Sequence, residues 1–417
     1  MPANTSRPRR ALIVGGSLAG LLAGNLLHRA GWQVDIYERT SGVLEGRGAG
    51  ITILPGLIEG FRAAGVEATE ESLGVLLPAR IALDRAGRIL AERPFPQVMT
   101  SWRRLYEALK EVFPPQRYHA GMTFERVEQR ADTVVGHFSD GQHIEADLLI
   151  GADGLRSAVR MQLAPDIKPY YAGYIAWRCL TDEHALSPAT HATLFDRYAV
   201  CVAPGEQGIG YPVPGPEHGV APGQRQYNVV WYHPVPDNEA LVDLHTDDTG
   251  RHHPNGIPPS LIRVQVRKEM TQLAQRVLAP QFAEAVERAR VVFFQPIVDL
   301  ELPRLVFGRA VILGDAAFVA RPHVAMGVPK AAGDALALVD ALTGNDDCRA
   351  ALRAFEEQRL RIGAAIVERG RYLGAYMEAQ LKSPAERRLA EARRIPERVM
   401  LETAAPFDYE RLAAARG

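Results

Sequence analysis

The sequence predicts an α/β fold in which a Rossmann-like, parallel-sheet domain is interleaved with an antiparallel β-sheet domain and followed by helices. Three observations predict it. The first forty residues read strand, helix, strand; two later apolar strands end in glycine and aspartate; and the middle of the chain is rich in aromatic and β-branched residues broken by glycine and proline. At roughly 150 residues per domain, 417 residues allow two or three domains.

Composition narrows the class of protein. Hydrophobic residues make up 47% of the chain and charged residues 23%, which is typical of a globular protein. The 48 Lys and Arg residues balance 49 Asp and Glu residues, so no overall field attracts nucleic acid or an anionic membrane, and we expect neither partner. Cys179, Cys201 and Cys348 form no CxxC pair, which argues against a disulfide framework or a zinc site and favours the cytoplasm.

The N-terminus superficially resembles a signal peptide, because Arg7, Arg9 and Arg10 precede an uncharged run at residues 11–27. The run changes from a continuous ALIV block to the helical pattern LAGLLAGNLL, and it then leads into the strand pattern QVDIYE. We therefore expect a strand, a glycine turn, a helix and a second strand, which together form a βαβ unit.

This unit carries a dinucleotide-binding fingerprint. Gly15 and Gly20 occupy the first and third glycine positions, and Ser17 at the middle position is small enough to keep the approach of a pyrophosphate open. The pyrophosphate is expected at the N-terminus of the first helix, where free N–H groups and the helix dipole favour negative charge. Glu38 ends the second strand 23 residues after Gly15, where a carboxylate accepts both ribose hydroxyls and repels a 2′-phosphate. The predicted nucleotide is therefore FAD or NAD, and not NADP.

Two later segments indicate which of the two nucleotides, FAD or NAD, the protein binds. ADLLIGADGLRSAVR at residues 146–160 and RAVILGDAAFVARPHVAMGVPKAAGDALAL at residues 309–338 each pair an apolar strand with glycine and aspartate. Together with the fingerprint they resemble the single-component (class A) FAD-dependent aromatic hydroxylases, the family that includes para-hydroxybenzoate hydroxylase. The resemblance implies a Rossmann-like (GR2-type) FAD-binding domain, an interleaved antiparallel substrate domain and C-terminal helices.

In that family one FAD site is built by three motifs. They are the glycine fingerprint, a DG motif (here Asp153-Gly154) and a GD motif (here Gly314-Asp315). The resemblance implies that Asp153 and Gly154 contact FAD and the reduced nicotinamide, that Asp315 holds the ribityl chain, and that a helix beginning near Gly327 lies beneath the flavin pyrimidine. The cofactor-binding residues expected from the fingerprint and the resemblance are Gly15, Ser17, Leu18, Ala19, Glu38, Arg39, Arg47, Gly48, Gly50, Arg104, Val127, Asp153, Gly154, Gly314, Asp315, Pro322, Gly327 and Val328.

Two positions depart from the family pattern. Pro329 stands where the family usually has asparagine, so backbone contacts around Gly327 are expected to replace that side chain. Trp102 stands where an arginine usually contacts the FAD phosphates, and Arg103 or Arg104 is the expected substitute.

The middle of the chain indicates which branch of the family the sequence resembles. YAGYIAWRCL, YAVCVAPGEQGIGYPVPG and QYNVVWYHPV predict antiparallel strands, and they resemble the 2,6-dihydroxypyridine 3-monooxygenase branch more than the benzoate hydroxylases. The resemblance implies reduction of FAD by NADH or NADPH, addition of dioxygen to give a flavin C4a-hydroperoxide, and oxygen transfer to a small hydroxylated ring. Related branches act on phenols, salicylates, hydroxypyridines and urate-like rings.

Three residues are candidates for contact with the substrate ring. His323 follows the GD motif, which carries it towards the flavin, and imidazole titrates near neutral pH; the alternative is a loop histidine bonded to the backbone. Tyr211 and His233 lie on predicted strands, where His233 and Trp231 share a face and plain sheet packing is the alternative. The pair His252-His253 lacks partners at metal-ligand spacing, so no metal site is expected.

The predicted domains are discontinuous. The expected FAD-binding domain comprises residues 8–75, 97–165 and 285–345; the substrate-binding sheet 76–96 and 166–284; and the helical segment 346–417. The Arg- and Glu-rich C-terminal helices are expected to have solvated faces, some of them packing a partner subunit in a homodimer. Two other functions stay open. One is a flavoprotein reductase, oxidase or halogenase, although IAWRCL lacks the WxWxIP signature of halogenases; the other is a non-catalytic FAD-binding redox protein.

Overall fold

The structure is a computed structural model that describes residues 8–42, 50–254, 256–345 and 347–414. Its strands, in chain order, are β1 (Arg10–Val14), β2 (Gln33–Glu38), β3 (Gly50–Ile53), β4 (Val75–Leu83), β5 (Ile89–Ser101), β6 (Tyr118–Ala120), β7 (Phe124–Gln129), β8 (Val134–Phe138), β9 (His143–Ala146), β10 (Leu148–Gly151), β11 (Tyr170–Asp182), β12 (Arg197–Ala203), β13 (Glu206–Val213), β14 (Gln226–Pro234), β15 (Val291–Glu301), β16 (Val306–Phe307), β17 (Ala310–Ile312) and β18 (Phe318–Val319).

The α-helices, in chain order, are α1 (Leu18–Arg29), α2 (Leu57–Ala63), α3 (Glu70–Leu73), α4 (Trp102–Glu111), α5 (Ala158–Leu163), α6 (Pro188–Leu194), α7 (Glu239–Leu244), α8 (Val264–Val277), α9 (Pro280–Glu287), α10 (Gly327–Thr343), α11 (Cys348–Ala379), α12 (Pro384–Arg393), α13 (Pro396–Glu402) and α14 (Tyr409–Ala414). In the part of the chain that the structure describes, no helix is long and apolar enough to cross a membrane.

The first sheet has the order β16-β17-β10-β1-β2-β6. It is parallel except at the edge, where β16 runs against β17, and Ile13 of β1 pairs with Ile150 on one side and Ile36 on the other. Helices α1 and α10 pack against each other in the hydrophobic core beside this sheet. The predicted βαβ unit is therefore present as β1, α1 and β2, and the parallel order of β10, β1 and β2 places the DG motif beside the glycine fingerprint.

The second sheet has nine strands in the order β18-β15-β11-β14-β13-β12-β4-β5-β3. Neighbours are antiparallel except β12 and β4, which are parallel. Because side chains alternate across a strand, Trp231 of β14 points to the core formed with α8 and α9, whereas Val230 and Tyr232 lie on the opposite face. Each face of this sheet therefore has its own hydrophobic core.

The predicted fold class is confirmed, since parallel and antiparallel sheets, interleaved along the chain, are followed by helices. The nine-stranded sheet includes three strands, β3, β15 and β18, that lie within the predicted ranges of the FAD-binding domain. The partners of β3 and β15 are β5 and β11, which are distant in the chain, and a local pattern does not reveal them.

The C-terminal helices were expected to show solvated faces, and this holds for α12, in which no residue is buried. The chain that follows also has exposed residues, but it is anchored to the protein by buried contacts. The buried side chain of Arg80, on β4, donates hydrogen bonds to the carbonyl oxygens of Met400 (2.9 Å), Thr403 (2.6 Å) and Ala404 (2.9 Å). The segment around α13 is thereby fixed to the nine-stranded sheet.

Candidate active site

The glycine turn brings β1 and α1 into close contact. Gly15 has φ = +104°, a conformation that favours glycine, and its N–H donates to the Tyr37 carbonyl at 2.8 Å. A Cβ on Gly20 would lie 1.9 Å from the Gly15 carbonyl oxygen, so only glycine allows this approach. The N-cap Ser17 makes no side-chain capping hydrogen bond, which leaves the first N–H groups of the 12-residue helix α1 available to an anion.

Glu38 lies at the end of β2 with its carboxylate beside the turn. Its Oε2 accepts a hydrogen bond from the Gly16 N–H at 2.9 Å, and its Oε1 accepts one from the Thr40 N–H at 3.0 Å. Each carboxylate oxygen still has acceptor capacity for a ribose hydroxyl. These two backbone bonds hold the carboxylate in place beside the glycine turn.

The DG motif forms a turn between β10 and α5. Asp153 Oδ2 accepts hydrogen bonds from the N–H groups of Ala158 (2.6 Å) and Val159 (3.3 Å), at the start of α5. Burial raises the pKa of Asp153, and these hydrogen bonds oppose that shift. Gly154, at φ = +74°, follows it, and a Cβ there would meet only open space.

The GD motif lies in a short 3-10 turn after β17. The N–H of Gly314, at φ = +64°, donates to Asp334 Oδ2 of α10 at 3.0 Å, which ties the turn to that helix. The Asp315 side chain is 54% exposed to the space in front of the turn, and Nζ of the buried Lys330 lies 3.8 Å from its Oδ1. The surrounding protein raises the pKa of Asp315, which the charge of Lys330 opposes and that of Asp334 reinforces.

These turns surround two cavities that meet. The first, which we call the nucleotide cavity, has a volume of about 300 Å³ and extends from Glu38 past the start of α1. The second, which we call the sheet cavity, has a volume of about 920 Å³ and lies against the nine-stranded sheet. The residues common to both linings are Arg39, Arg156, Asp315, Gly327 and Val328. Asp315 and the N-terminus of α10 therefore mark the junction.

Aromatic side chains line the sheet cavity. The rings of Tyr198 and Tyr211 stack with centroids 5.4 Å apart, and Tyr232 lies on the next strand. The Tyr211 hydroxyl donates to the Gly50 carbonyl oxygen at 2.8 Å, and burial raises its pKa to about 12. The C-terminal segment completes the wall, since Ala404 lines the same cavity.

Most of the predicted cofactor residues come together at these cavities. Those that line the nucleotide cavity are Gly15, Ser17, Leu18, Ala19, Glu38, Arg39, Asp153, Gly154, Asp315, Gly327 and Val328. Gly50 and Pro322 line the sheet cavity, as does the predicted substrate contact Tyr211. Gly314 lies behind Asp315 in the GD turn. Arg47 and Gly48 lie outside the described residues.

Two of the three expected substrate contacts, His323 and His233, do not line the sheet cavity. His323 is completely buried, with Nε2 3.0 Å from the Tyr174 hydroxyl and its ring 4.0 Å from that of Tyr232. Burial, with nearby arginines, lowers its pKa to about 3, so it is neutral and inaccessible to a ligand. His233 shares a face with Trp231 as predicted, but this face packs on α8 and α9, and both side chains contact Glu206.

Two predicted cofactor contacts also lie elsewhere. Arg104 points from α4 to the Ser72 carbonyl oxygen, 3.1 Å from its guanidinium, while Trp102 lines the nucleotide cavity. Val127 lies on β7, where its N–H donates to Gln162, and the cavity is lined instead by the residues that precede it, Met122, Thr123 and Phe124. Sequence spacing identified both elements, but not the direction of each side chain.

Several lining residues were not predicted. Lys330 and Arg178 are cations on the wall of the sheet cavity, and Tyr198, Tyr232 and Gln295 are neighbours on the sheet. The alternation of strand residues was a usable signal, because Arg178 lies two residues from Ala176 on the same face as Tyr232. The histidines His252-His253 are accounted for locally, since His253 Nε2 lies 2.6 Å from Asp247 Oδ2.

The residues present fit FAD. Helix α10, like α1, begins at the cavities without a side-chain cap, and a Cβ on Gly327 would meet only open space. Lys330 Nζ is buried and makes no hydrogen bond within the described residues, which leaves a donor for a ligand. The start of α1 would hold the pyrophosphate, Glu38 a ribose, and Asp315 the ribityl chain.

The fold and these cavities define the chain as a member of the FAD-dependent aromatic monooxygenases. It is 32% identical over 370 residues to 2,6-dihydroxypyridine 3-monooxygenase of Paenarthrobacter nicotinovorans, a match that covers 88% of this chain and 91% of that protein. The chain belongs to the FAD monooxygenase family of that enzyme, so the predicted family, FAD cofactor and enzyme class are confirmed. A family model described as FAD binding domain-like matches residues 171–299, which begin within β11 and end within β15.

Solved structures agree with this assignment. The structure of 2,6-dihydroxypyridine-3-hydroxylase from Arthrobacter nicotinovorans matches with a TM-score of 0.84 and 31% identity, covering 91% of this chain and 96% of that one. Klebsiella pneumoniae HpxO, complexed with FAD and uric acid, matches with a TM-score of 0.74 and 22% identity over 98% and 95% of the two chains, and it supports the fold alone.

Proposed function

We propose that this monooxygenase uses NADH or NADPH to hydroxylate a small hydroxylated aromatic or N-heteroaromatic ring. The observation that carries the proposal is the sheet cavity, which joins the nucleotide cavity at Asp315 and presents the rings of Tyr198, Tyr211 and Tyr232. Aromatic walls favour a planar ring through stacking and edge contacts. The relatives support this substrate class, because one is a 2,6-dihydroxypyridine 3-monooxygenase and another, 27% identical over 371 residues, is a FAD-dependent urate hydroxylase.

The nucleotide cavity and the sheet cavity have different roles in the proposed reaction. When bound, FAD supplies the redox chemistry that activates dioxygen. Glu38 and the start of α1 anchor the nucleotide end, and Asp315 anchors the chain that leads to the ring system. The nine-stranded sheet and Ala404 exclude water from the ring substrate, which protects reactive species from hydrolysis.

The nicotinamide co-substrate needs a separate place to bind. The sequence has a single glycine fingerprint of the dinucleotide-binding type, so tight binding of a second dinucleotide in a Rossmann turn is not expected. Arg39 and Arg156 are exposed and line both cavities. We infer that these cations attract the phosphates of NADH or NADPH to the junction, where a transient complex reduces the flavin.

The test follows oxidation of NADH and of NADPH by the FAD-loaded protein, together with oxygen uptake and product analysis. The ring compounds are 2,6-dihydroxypyridine, phenol and urate. We expect one of them to accelerate NAD(P)H oxidation and to gain one oxygen atom. If no ring compound changes either rate, the hydroxylase proposal is wrong. Acceleration without a hydroxylated product would favour the reductase or oxidase alternative.

A further inference from the structure

One cation on the cavity face of the nine-stranded sheet is not used by the site described so far. Arg178 lies in the middle of β11, and its register partner on β14 is Val230, which in turn pairs with Ile209 of β13. All three line the sheet cavity. The side chain of Arg178 is therefore at the centre of the face on which the substrate ring is proposed to lie.

The charge of Arg178 is not neutralised by the described protein. Its Nε donates a weak hydrogen bond to Gln295 Oε1 at 3.3 Å, and within the described residues no carboxylate lies within 4.0 Å of its guanidinium. Among the described residues that line the sheet cavity, the single carboxylate is Asp315, which is already close to Lys330. Arg178 therefore keeps donors and a positive charge for a ligand.

The tyrosines on the same wall are hydrogen-bond donors rather than bases. Burial raises the pKa of Tyr198, Tyr211 and Tyr232, and the charge of Arg178 only partly opposes this shift, so the hydroxyls stay protonated. His323 is buried behind the wall, and His233 lies on the other face of the sheet. His245 also lines the cavity, but its Nδ1 lies 2.9 Å from the Leu241 carbonyl oxygen, and burial lowers its pKa. The described wall thus favours an anion through the charge of Arg178.

We propose that Arg178 selects the anionic form of the ring substrate, by a charge-assisted hydrogen bond to an ionised ring hydroxyl. This inference rests on the proposed function of the same cavity. An ionised hydroxyl also makes the ring more electron-rich and hence more reactive towards an electrophilic oxygen. The alternative is that Arg178 only packs against the sheet and orients Gln295.

The test compares ligands that differ in their ability to ionise. The FAD-loaded protein and its Arg178→Gln and Arg178→Lys variants are titrated with 2,6-dihydroxypyridine and phenol, and with the O-methyl ether of each, following the flavin absorbance without NAD(P)H. A hydrogen bond to a charged group corresponds to about 10- to 100-fold in affinity. We expect the native protein to prefer the hydroxylated ring over its ether by about this factor. Arg178→Gln should abolish most of the preference, and Arg178→Lys should retain part of it.

The matched control is Arg290→Gln, which removes the same charge from an exposed arginine that pairs with Asp182 at 3.4 Å and does not line the cavity. This variant should leave the preference unchanged. Equal weakening of hydroxylated rings and ethers by Arg178→Gln, or no change at all, would overturn the role of Arg178 while leaving the proposed function intact. If the native protein binds none of the hydroxylated rings, the proposed function itself fails.

Discussion

Single residues at the junction of the two cavities are the ones that we propose hold FAD. Asp315 is exposed to both cavities, whereas its neighbour Gly314 is held from behind by Asp334. Asp334 is in turn held by Arg359, whose Nε lies 2.8 Å from Asp334 Oδ1. The carboxylate of Asp315 is thus placed by a chain of buried contacts but remains available to a ligand.

Asp315→Ala should give a folded protein that has lost most of its flavin. The carboxylate is expected to accept charge-assisted hydrogen bonds from the ribityl chain, each worth about 1.5–3 kcal/mol, so FAD affinity should fall about 10- to 100-fold or more. The ratio of flavin to protein absorbance after gel filtration measures this. Asp132→Ala, at a side chain that is 91% exposed, is the control. Full flavin retention by Asp315→Ala would show that the placement of the ribityl chain is wrong.

At the scale of elements, the wall of the sheet cavity depends on a contact between distant parts of the chain. Arg80 on β4 is fully buried, packs its guanidinium over the rings of Phe95 and Tyr198, and holds the carbonyl groups that follow α13. Burial lowers its pKa to about 10. Because the same segment includes Ala404, this arginine couples the stability of the C-terminal helices to the shape of the cavity.

Arg80→Met should therefore lower the free energy of unfolding by about 3–5 kcal/mol, since it leaves buried carbonyl groups without donors. Urea unfolding measures the loss, and hydrogen exchange should rise first in residues 396–404. Arg88→Met is the matched control, because this arginine on the β4–β5 turn is 79% exposed and pairs only with Asp84 in the described structure. Similar effects of both substitutions would contradict the anchoring role of Arg80.

At the scale of the whole molecule, the buried His323 links stability to pH. Burial, followed by the charges of Arg321, Arg394 and Arg178, lowers its pKa from 6.5 to about 3 in the folded protein. Between these values the unfolded chain binds one more proton than the folded one. Stability that is fully present above pH 6.5 is therefore lost as the pH falls, by up to about 1.4 kcal/mol per pH unit.

His323→Gln should remove this dependence while keeping a polar group near Tyr174. Between about pH 7 and pH 5, the native protein should lose up to about 2 kcal/mol more than the variant, measured by urea unfolding at each pH. The range stops there because the pKa of Glu183 is lowered to about 2, so this carboxyl group adds its own loss at lower pH. His28→Gln, at an exposed histidine, is the control. Parallel pH profiles for the native protein and His323→Gln would contradict the buried neutral state.

The residues expected to bind the nucleotide were identified from local patterns, and the structure brings most of them to one cavity. Gly15 and Glu38 are defined by short spacings within one βαβ unit, and Asp153 and Asp315 each follow a strand of the same parallel sheet. Because the carboxyl ends of parallel strands meet at one edge, four positions far apart in the chain had to converge. The substrate half was predicted less well. Residues such as His233 and Arg178 are distinguished only by the face of the sheet that is covered by α8 and α9.

The family, the FAD cofactor and the βαβ unit could be predicted from the sequence, because they depend on periodicity and on motifs only a few residues long. Packing between distant segments decides that β3 and β15 join the nine-stranded sheet, that His323 is buried against Tyr232, and that Ala404, which follows α13, lines the sheet cavity. The physical reason is that a side chain's direction is local, whereas what lies in front of it is set by packing between segments hundreds of residues apart.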